Sequence, residues 1–150
     1  MCRELIICLI LSISAEYGVP GYFVKSIAIE ESNLNPNAVS PANSNGTRDF
    51  GIMQLNNNYF SHVDWRCVES NIRAGVAHIR WLMTVPGVNT FWAVAAAYNC
   101  GHARLLRHGP PQTTIDYANR VIARWRTFEC NPPIVVWCNP DIVQASSRSF

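Results

Sequence analysis

The chain has little charge, and the charges nearly balance. Only 15% of its 150 residues are charged, and twelve basic residues against ten acidic ones leave a net charge of +2. A surplus this small does not favour binding to the phosphate backbone of a nucleic acid. Five arginines fall between Arg104 and Arg126, and we expect them on a solvated helix face. Because 49% of the residues are hydrophobic, the chain lacks the composition of a disordered protein and should fold.

The sequence also lacks the usual pattern of a metal site. Its six cysteines include no Cys-x-x-Cys pair, and its four histidines do not have the spacing of metal ligands. We therefore predict no metal, and we expect the histidines at the surface or at helix ends. The even number of cysteines permits disulfides, for which Cys130 and Cys138 are the favoured pair. Buried free thiols are the alternative.

The apolar run at the N-terminus is too short to cross a membrane, so we expect no stable membrane insertion. It spans the ten residues from Leu5 to Ser14. Two interpretations of this run stay open: a short signal peptide behind Arg3, and a buried helix that ends at Gly18. The short length and the acidic Glu4 are atypical of a signal peptide, so they favour the helix.

Apolar residues recur at helical spacing along the rest of the chain. The spacing predicts four further helices, on the following positions: Val24, Ile27 and Ala28; Ile72, Val76, Ile79 and Met83; the run from Phe91 to Asn99; and Ile115, Ala118, Ile122 and Trp125. We expect Thr113 or Thr114 to be the N-cap of the last helix, with Asp116 in its first turn.

A long polar segment separates the first two of these helices. It runs from Ser32 to Asn58, and it is rich in asparagine and contains two prolines, as is typical of an irregular loop. Loops of this length in a compact domain are usually functional. We therefore predict a mainly α single domain over residues 1–128, with a long active-site loop that has room for a small β-hairpin. Residues 129–150 are predicted to form a C-terminal tail with Cys130, Cys138 and one short β-prone run.

An acidic residue, Glu31, ends the apolar face of the helix that follows Pro20. A carboxyl group there is expected to lose solvent, which raises its pKa and keeps a proton available, so Glu31 is a candidate general acid. Periodicity does not choose cleanly between Glu31 and Glu30, which lies on the face of Ile27. The plainer interpretation is a solvent-exposed glutamate at a helix end.

Three motifs, which follow one another along the chain, favour Glu31 over Glu30 as the acid. They are Glu30-Glu31-Ser32-Asn33-Leu34-Asn35-Pro36, then Gly51-Ile52-Met53-Gln54, then Ala97-Tyr98-Asn99. Together they resemble the motifs of the soluble lytic transglycosylase family, from which they depart only at Ile52, where the family has leucine. The resemblance covers residues 14 to 126 and is closest to phage and secretion-associated members. It implies a lysozyme-like fold.

The resemblance implies a reaction on peptidoglycan glycan strands that needs no cofactor. Glu31 would protonate the oxygen between N-acetylmuramic acid and N-acetylglucosamine, and would then act as the base. The C6 hydroxyl of the muramic acid would close on its own anomeric carbon and give a 1,6-anhydro end without water. The resemblance further implies that Tyr98 orients Glu31 through a hydrogen bond, and that the substrate is bound by Ser32, Met53, Gln54, Tyr98, Asn99 and Tyr117.

Two other functions stay open. Goose-type lysozymes are similar in fold and commonly carry aspartate where this chain has Asn56, so the amide favours the transglycosylase. Asp49 on the same loop keeps a hydrolase open, although a turn residue that caps the loop is the plainer interpretation. The other alternative is a wall-binding protein of this fold without turnover. The resemblance implies a monomer that acts in the periplasm or cell wall, exported or carried by a phage virion or a secretion apparatus.

Overall fold

The computed structural model describes residues 1–130, and this part is mainly helical, as predicted. Most of the predicted tail, including its β-prone run and Cys138, lies outside the described residues. The elements of the described part are helices Arg3–Glu16 (α1), Gly21–Ser32 (α2), Val68–Leu82 (α3), Phe91–Cys100 (α4), His102–His108 (α5) and Gln112–Cys130 (α6), and strands Asp49–Phe50 (β1) and Leu55–Asn56 (β2).

The N-terminal apolar run forms helix α1, which confirms the helical interpretation. The side chains of Ile6, Ile10 and Ile13 are buried in the core because they lie on one face of this helix. The chain turns at Gly18, whose φ of 64° is a left-handed conformation that favours glycine. Among residues 1–130, no helix combines the length and the apolar character needed to cross a membrane.

Helix α2 occupies the centre of the domain. Its buried face includes Phe23 and Ile27, neither of which has any exposed surface. The ring of Phe23 meets Phe91 of α4 at 5.0 Å and Trp125 of α6 at 5.3 Å between centroids, both edge to face. Because α2 is held by the core on several sides, the position of its last turn, which carries Glu31, is fixed.

The polar segment after α2 contains the small hairpin for which the sequence left room. Strands β1 and β2 pair antiparallel, with Asp49 opposite Asn56 and Phe50 opposite Leu55. The bend between the strands includes Gln54, whose positive φ of 46° is unusual for a residue with a side chain. The hairpin brings the second sequence motif back over the end of α2.

Two positions on α3 hold this hairpin in place. The buried side chain of Asn71 accepts a hydrogen bond from the Met53 N–H at 2.9 Å and donates one to the Phe50 carbonyl at 3.0 Å. One turn further along, Gly75 leaves room for Met53, because an added Cβ would lie 2.7 Å from the Met53 side chain. The loop is therefore fixed on α3 by the side-chain amide of Asn71 and by the space that Gly75 leaves for Met53.

Two expectations about the C-terminal helices are wrong. Helix α6 begins at Gln112, so Thr113 and Thr114 lie inside it and neither is its N-cap, and its first turn holds no acidic residue. The early start follows from Pro111, because proline suits the beginning of a helix and its carbonyl accepts hydrogen bonds from the first turn. The short helix α5 was not predicted.

The predicted disulfide between Cys130 and Cys138 is also wrong. Helix α6 continues to Cys130, whose thiol is free and exposed at the helix end. Cys2, Cys67 and Cys100 are free as well, and none of the three is buried, so the alternative of buried free thiols does not describe them either.

Candidate active site

Glu31 faces a cleft with a volume of about 860 Å³. The walls of the cleft come from the long loop and from helices α3, α4 and α5. Four of the residues singled out in the sequence lie along these walls beside Glu31: Asp49, Gln54, Tyr98 and Asn99. The fold thus brings the three sequence motifs together around one carboxyl group.

The surroundings of Glu31 favour its protonated form. Loss of solvent raises the pKa of the Glu31 carboxyl to about 7, and the negative charges of Asp49 and Glu30 act in the same direction. A hydrogen bond of 2.5 Å from the Tyr117 hydroxyl to Oε1 opposes this shift without cancelling it. Near neutral pH the group can therefore both give and take a proton, as general acid and base catalysis requires.

The neighbouring Glu30 has the opposite character. Burial acts to raise its pKa, but hydrogen bonds and positive charge from Arg120 and Arg124 outweigh burial and lower the pKa. The two contacts measure 2.8 Å and 2.6 Å, and the Glu30 side chain is only 9% exposed. Glu30 is thus a charged link between α2 and α6. Both arginines also agree with the expected solvated helix face, because the side chain of Arg120 is 57% exposed and that of Arg124 is 38% exposed.

The hydrogen-bonding role expected of Tyr98 belongs to Tyr117, which was expected to bind substrate but does not line the cleft. Tyr98 does not donate to Glu31; its hydroxyl donates to the Met53 carbonyl at 2.7 Å, because α4 faces the turn of the loop. The donor to Glu31 is Tyr117, from the buried side of α6. Burial raises the pKa of both hydroxyls well above the usual value, so both remain protonated donors.

Three further motif residues shape the loop: Ser32, Met53 and Gln54. The Ser32 hydroxyl donates to the Ile52 carbonyl at 2.8 Å, and the Gln54 amide donates to the Gly51 carbonyl at 2.9 Å. Met53 is fully buried beneath the loop and does not line the cleft. Of the three predicted substrate-binding residues in this region, only Gln54 borders the space that a substrate would enter.

Asn99 is exposed on the opposite wall of the cleft. Its Oδ1 accepts a hydrogen bond of 2.6 Å from the Thr114 hydroxyl, which orients the side chain. Within residues 1–130 the Nδ2 group of Asn99 has no acceptor. It is therefore a donor available to a ligand in the cleft.

Asp49 both faces the cleft and belongs to the hairpin. Its carboxylate accepts hydrogen bonds from Asn56 at 2.9 Å, from Asn43 at 3.4 Å and from Ser40 at 3.5 Å. The two interpretations of Asp49, a turn residue and a cleft residue, therefore apply together. Its negative charge adds to the forces that keep a proton on Glu31.

Comparison with known proteins adds to this geometry. The family model of the transglycosylase SLT domain matches residues 9–120. The chain belongs to this family. Its lysozyme-like fold is the one that the resemblance implied.

Similar proteins share only part of their length with this SLT domain. The membrane-bound lytic murein transglycosylase F of Actinobacillus pleuropneumoniae is 37% identical over 89 residues, which are 54% of this chain and 17% of that protein. Protein IpgF of Shigella flexneri is 48% identical over 40 residues, or 27% of this chain and 26% of IpgF. Lysozyme P of Drosophila melanogaster is 53% identical over 34 residues, or 23% and 24% of the two chains. The chain thus spans well under half of each relative.

Sequence reasoning missed several residues that line the cleft of this SLT domain. His78 was expected at the surface or a helix end, but it lies within α3 and is partly buried, and with Trp81 and His102 it borders the cleft. Their spacing held a signal, because His78 and Trp81 are three residues apart and therefore share one side of the helix. Among the described residues, no group of three or more His, Cys, Asp or Glu side chains is arranged to hold a metal ion.

Proposed function

We propose that this domain is a peptidoglycan lytic transglycosylase that cleaves the bond between N-acetylmuramic acid and N-acetylglucosamine and leaves a 1,6-anhydro end. The observation that carries the proposal is the state of Glu31. It is a carboxyl group in a cleft, with its pKa raised to about 7 and a tyrosine hydroxyl on one oxygen. Such a group suits a reaction in which one residue acts first as acid and then as base.

The proposed reaction proceeds in two proton transfers. Protonated Glu31 gives its proton to the glycosidic oxygen, and the bond from that oxygen to the anomeric carbon of the muramic acid breaks. The C6 hydroxyl of the same sugar then attacks the anomeric carbon and returns its proton to the Glu31 carboxylate. The enzyme ends in its starting state, no water is consumed, and a second carboxyl group is not needed because the two transfers are sequential.

The hairpin supports this reaction over hydrolysis. Ordinary glycosidases use two carboxyl groups, one on each side of the bond. Here the position beside Asp49 is the amide of Asn56, and the side-chain amides of Asn56 and Asn43 donate to the Asp49 carboxylate. A carboxylate engaged in this way is a poor base for water. Asn99 and Gln54 offer donors and acceptors for the hydroxyl and acetamido groups of the sugars.

We further propose that the partner of this domain is the glycan strand of the cell wall, and that the domain acts in the periplasm or the wall as a monomer. The name of the transglycosylase relative from Actinobacillus, a murein enzyme, supports this substrate. The loop segment Ser44-Asn45-Gly46-Thr47-Arg48-Asp49-Phe50-Gly51 resembles secretion-associated and phage members, so we propose that an export route or a virion delivers the domain.

A hydrolase of the goose-lysozyme type is the second candidate. It is favoured by one observation, the presence of Asp49 in the same cleft as Glu31, where it could assist a water molecule. The short similarity to Lysozyme P agrees with either reaction.

Mass spectrometry of the fragments that the wild-type protein releases from purified peptidoglycan, read without a reducing step, separates these candidates. Fragments lighter than hydrolysis products by one water would establish the anhydro end. Fragments that carry the water would move the assignment to a hydrolase, and Asp49→Asn should then abolish their release. A protein that sediments with the wall but releases nothing, while a control enzyme digests the same wall, would be a binding protein.

A further inference from the structure

Exposed aromatic rings are rare on the described surface. Of the Phe, Tyr and Trp side chains in residues 1–130, only Tyr59 at 75% and Trp81 at 46% are exposed, and both line the cleft that holds Glu31. A large aromatic ring left in water loses the free energy that its burial would gain. Its occurrence in a concave site therefore points to a ligand that covers it.

Two histidine rings contact the indole of Trp81 at the edge of the cleft. The imidazole of His78 stacks on it, with ring centroids 5.5 Å apart and planes inclined by 19°. His102, at the beginning of α5, meets it edge to face at 4.9 Å and 87°. Two helices thus fix one aromatic ring, which lowers the entropy lost when a ligand binds to it.

His78 is fixed in turn by the interior of the domain. Its ring contacts Phe60 of the long loop and Tyr98 of α4, each at 5.5 Å between centroids. Burial lowers the pKa of His78, and the nearby His102 acts in the same direction, so the ring is neutral near pH 7. A neutral ring packs against the indole without the cost of burying a charge. Tyr98 links this cluster to the loop that borders Glu31.

We propose that Trp81, held by His78 and His102, is the stacking platform for a sugar ring at a subsite beside the reacting pair of sugars. A pyranose ring presents an apolar face of C–H groups, and these carry partial positive charge that the negative face of an indole attracts. This subsite rests on the proposed function in one respect, since it takes the occupant of the cleft to be a glycan of N-acetylated sugars.

Isothermal titration calorimetry tests the subsite without turnover. The parent protein is the Glu31→Gln variant, and the probes are N-acetylglucosamine oligomers of two and six sugars. Adding Trp81→Ala should weaken binding of the hexamer about tenfold and affect the dimer less, while Trp81→Phe should keep most of the affinity. The matched control is Trp92→Phe, because Trp92 lies outside the cleft and its indole N–H donates to Asn119.

Unchanged hexamer affinity in the Trp81→Ala variant would overturn the subsite, and so would a parent protein that binds neither oligomer. His102→Ala, which removes only the edge contact, should give a smaller loss than Trp81→Ala, and far-ultraviolet circular dichroism confirms that each variant is folded. The proposed reaction fails independently, through the mass of the released fragments. If the wild-type fragments carry water and Trp81→Ala weakens hexamer binding tenfold, the proposed transglycosylase reaction is wrong and the subsite stands.

Discussion

Two adjacent glutamates at the end of α2 have opposite environments. Glu30 turns toward α6 and pairs with two arginines, which together outweigh burial and lower its pKa. Glu31 turns toward the cleft and meets only a tyrosine hydroxyl, so loss of solvent raises its pKa to about 7. Both residues lie in the last turn of the same helix, so the helix dipole acts on both and does not explain the difference.

The comparison shows that burial alone does not decide whether a carboxyl group keeps its proton. Both carboxyl groups are removed from solvent, but the charge of the partner decides which proton is kept. The two arginines lower the pKa of Glu30, so this carboxyl group is charged at neutral pH and links α2 to α6. A neutral hydroxyl orients Glu31 and leaves its proton exchangeable near neutral pH.

The strongest test of this difference removes the proton from Glu31 and keeps its shape. Glu31→Gln should reduce the release of soluble fragments from peptidoglycan by about 100- to 10,000-fold, because it removes the group that we propose as both acid and base. Glu30→Gln is the matched control and should lose much less activity at 25 °C. Equal losses in the two variants would contradict the assignment of the acid.

The same difference appears in the pH dependence of stability. The folded protein keeps a proton on Glu31 that the unfolded chain has already released, so the free energy of unfolding should fall as the pH rises from about 4.5 to about 7. The contribution of this group is about 3 kcal/mol. Urea unfolding across this range should show that Glu31→Gln lacks this part of the decrease. Parallel curves for the two proteins would mean that Glu31 has an ordinary pKa.

The charged link of Glu30 should appear in stability rather than in chemistry. Glu30→Gln should lower the free energy of unfolding by about 2 kcal/mol at pH 7, because it leaves two arginines without their carboxylate. The effect should shrink in acid, since the wild-type protein also loses this contact as Glu30 is protonated. Arg120→Gln is the milder comparison, because the Arg120 side chain is 57% exposed and Glu30 keeps its contact with Arg124. A larger loss from Arg120→Gln would contradict this ranking.

The smallest expected effect concerns the hydrogen bond on Glu31. Tyr117→Phe removes a donor that lowers the Glu31 pKa, so the alkaline limb of the pH profile of activity should move upward by about one pH unit. Tyr98→Phe should leave this limb in place, because its hydroxyl donates to Met53 instead. A shift in the Tyr98 variant but not in the Tyr117 variant would restore the role that the sequence had suggested.

The sequence predicts the long helices well, because each has an apolar stripe that packs on a core. Helix α5 was not predicted because none of its residues is buried, so it has no such stripe. The start of α6 was misjudged because Pro111 begins the helix ahead of the threonines that resemble caps. Local sequence patterns thus locate a helix that packs an apolar face on the core. They fail for a helix without such a face and for a boundary that is set by a turn residue.

The candidate site was likewise predicted only in part. The motif located Glu31 and the residues of the loop, but it assigned the wrong tyrosine as the partner of Glu31. That contact joins residues 86 positions apart and depends on the rotation of α6 against α2. The cluster of Trp81, His78 and His102 also depends on how α3 and α5 meet. Contacts across helices of this kind cannot be obtained from the periodicity of a single helix.

The contact between Asn56 and Asp49 in the hairpin has an evolutionary consequence. The amide nitrogen of Asn56 lies 2.9 Å from an Asp49 oxygen. An aspartate at position 56 would set two carboxyl groups against each other, and one of them would have to hold a proton or leave the pair. A lineage that changed from attack by the sugar's own C6 hydroxyl to attack by water would keep its helices and its acid. It would first have to remove a repulsion between two carboxyl groups that face each other across the hairpin.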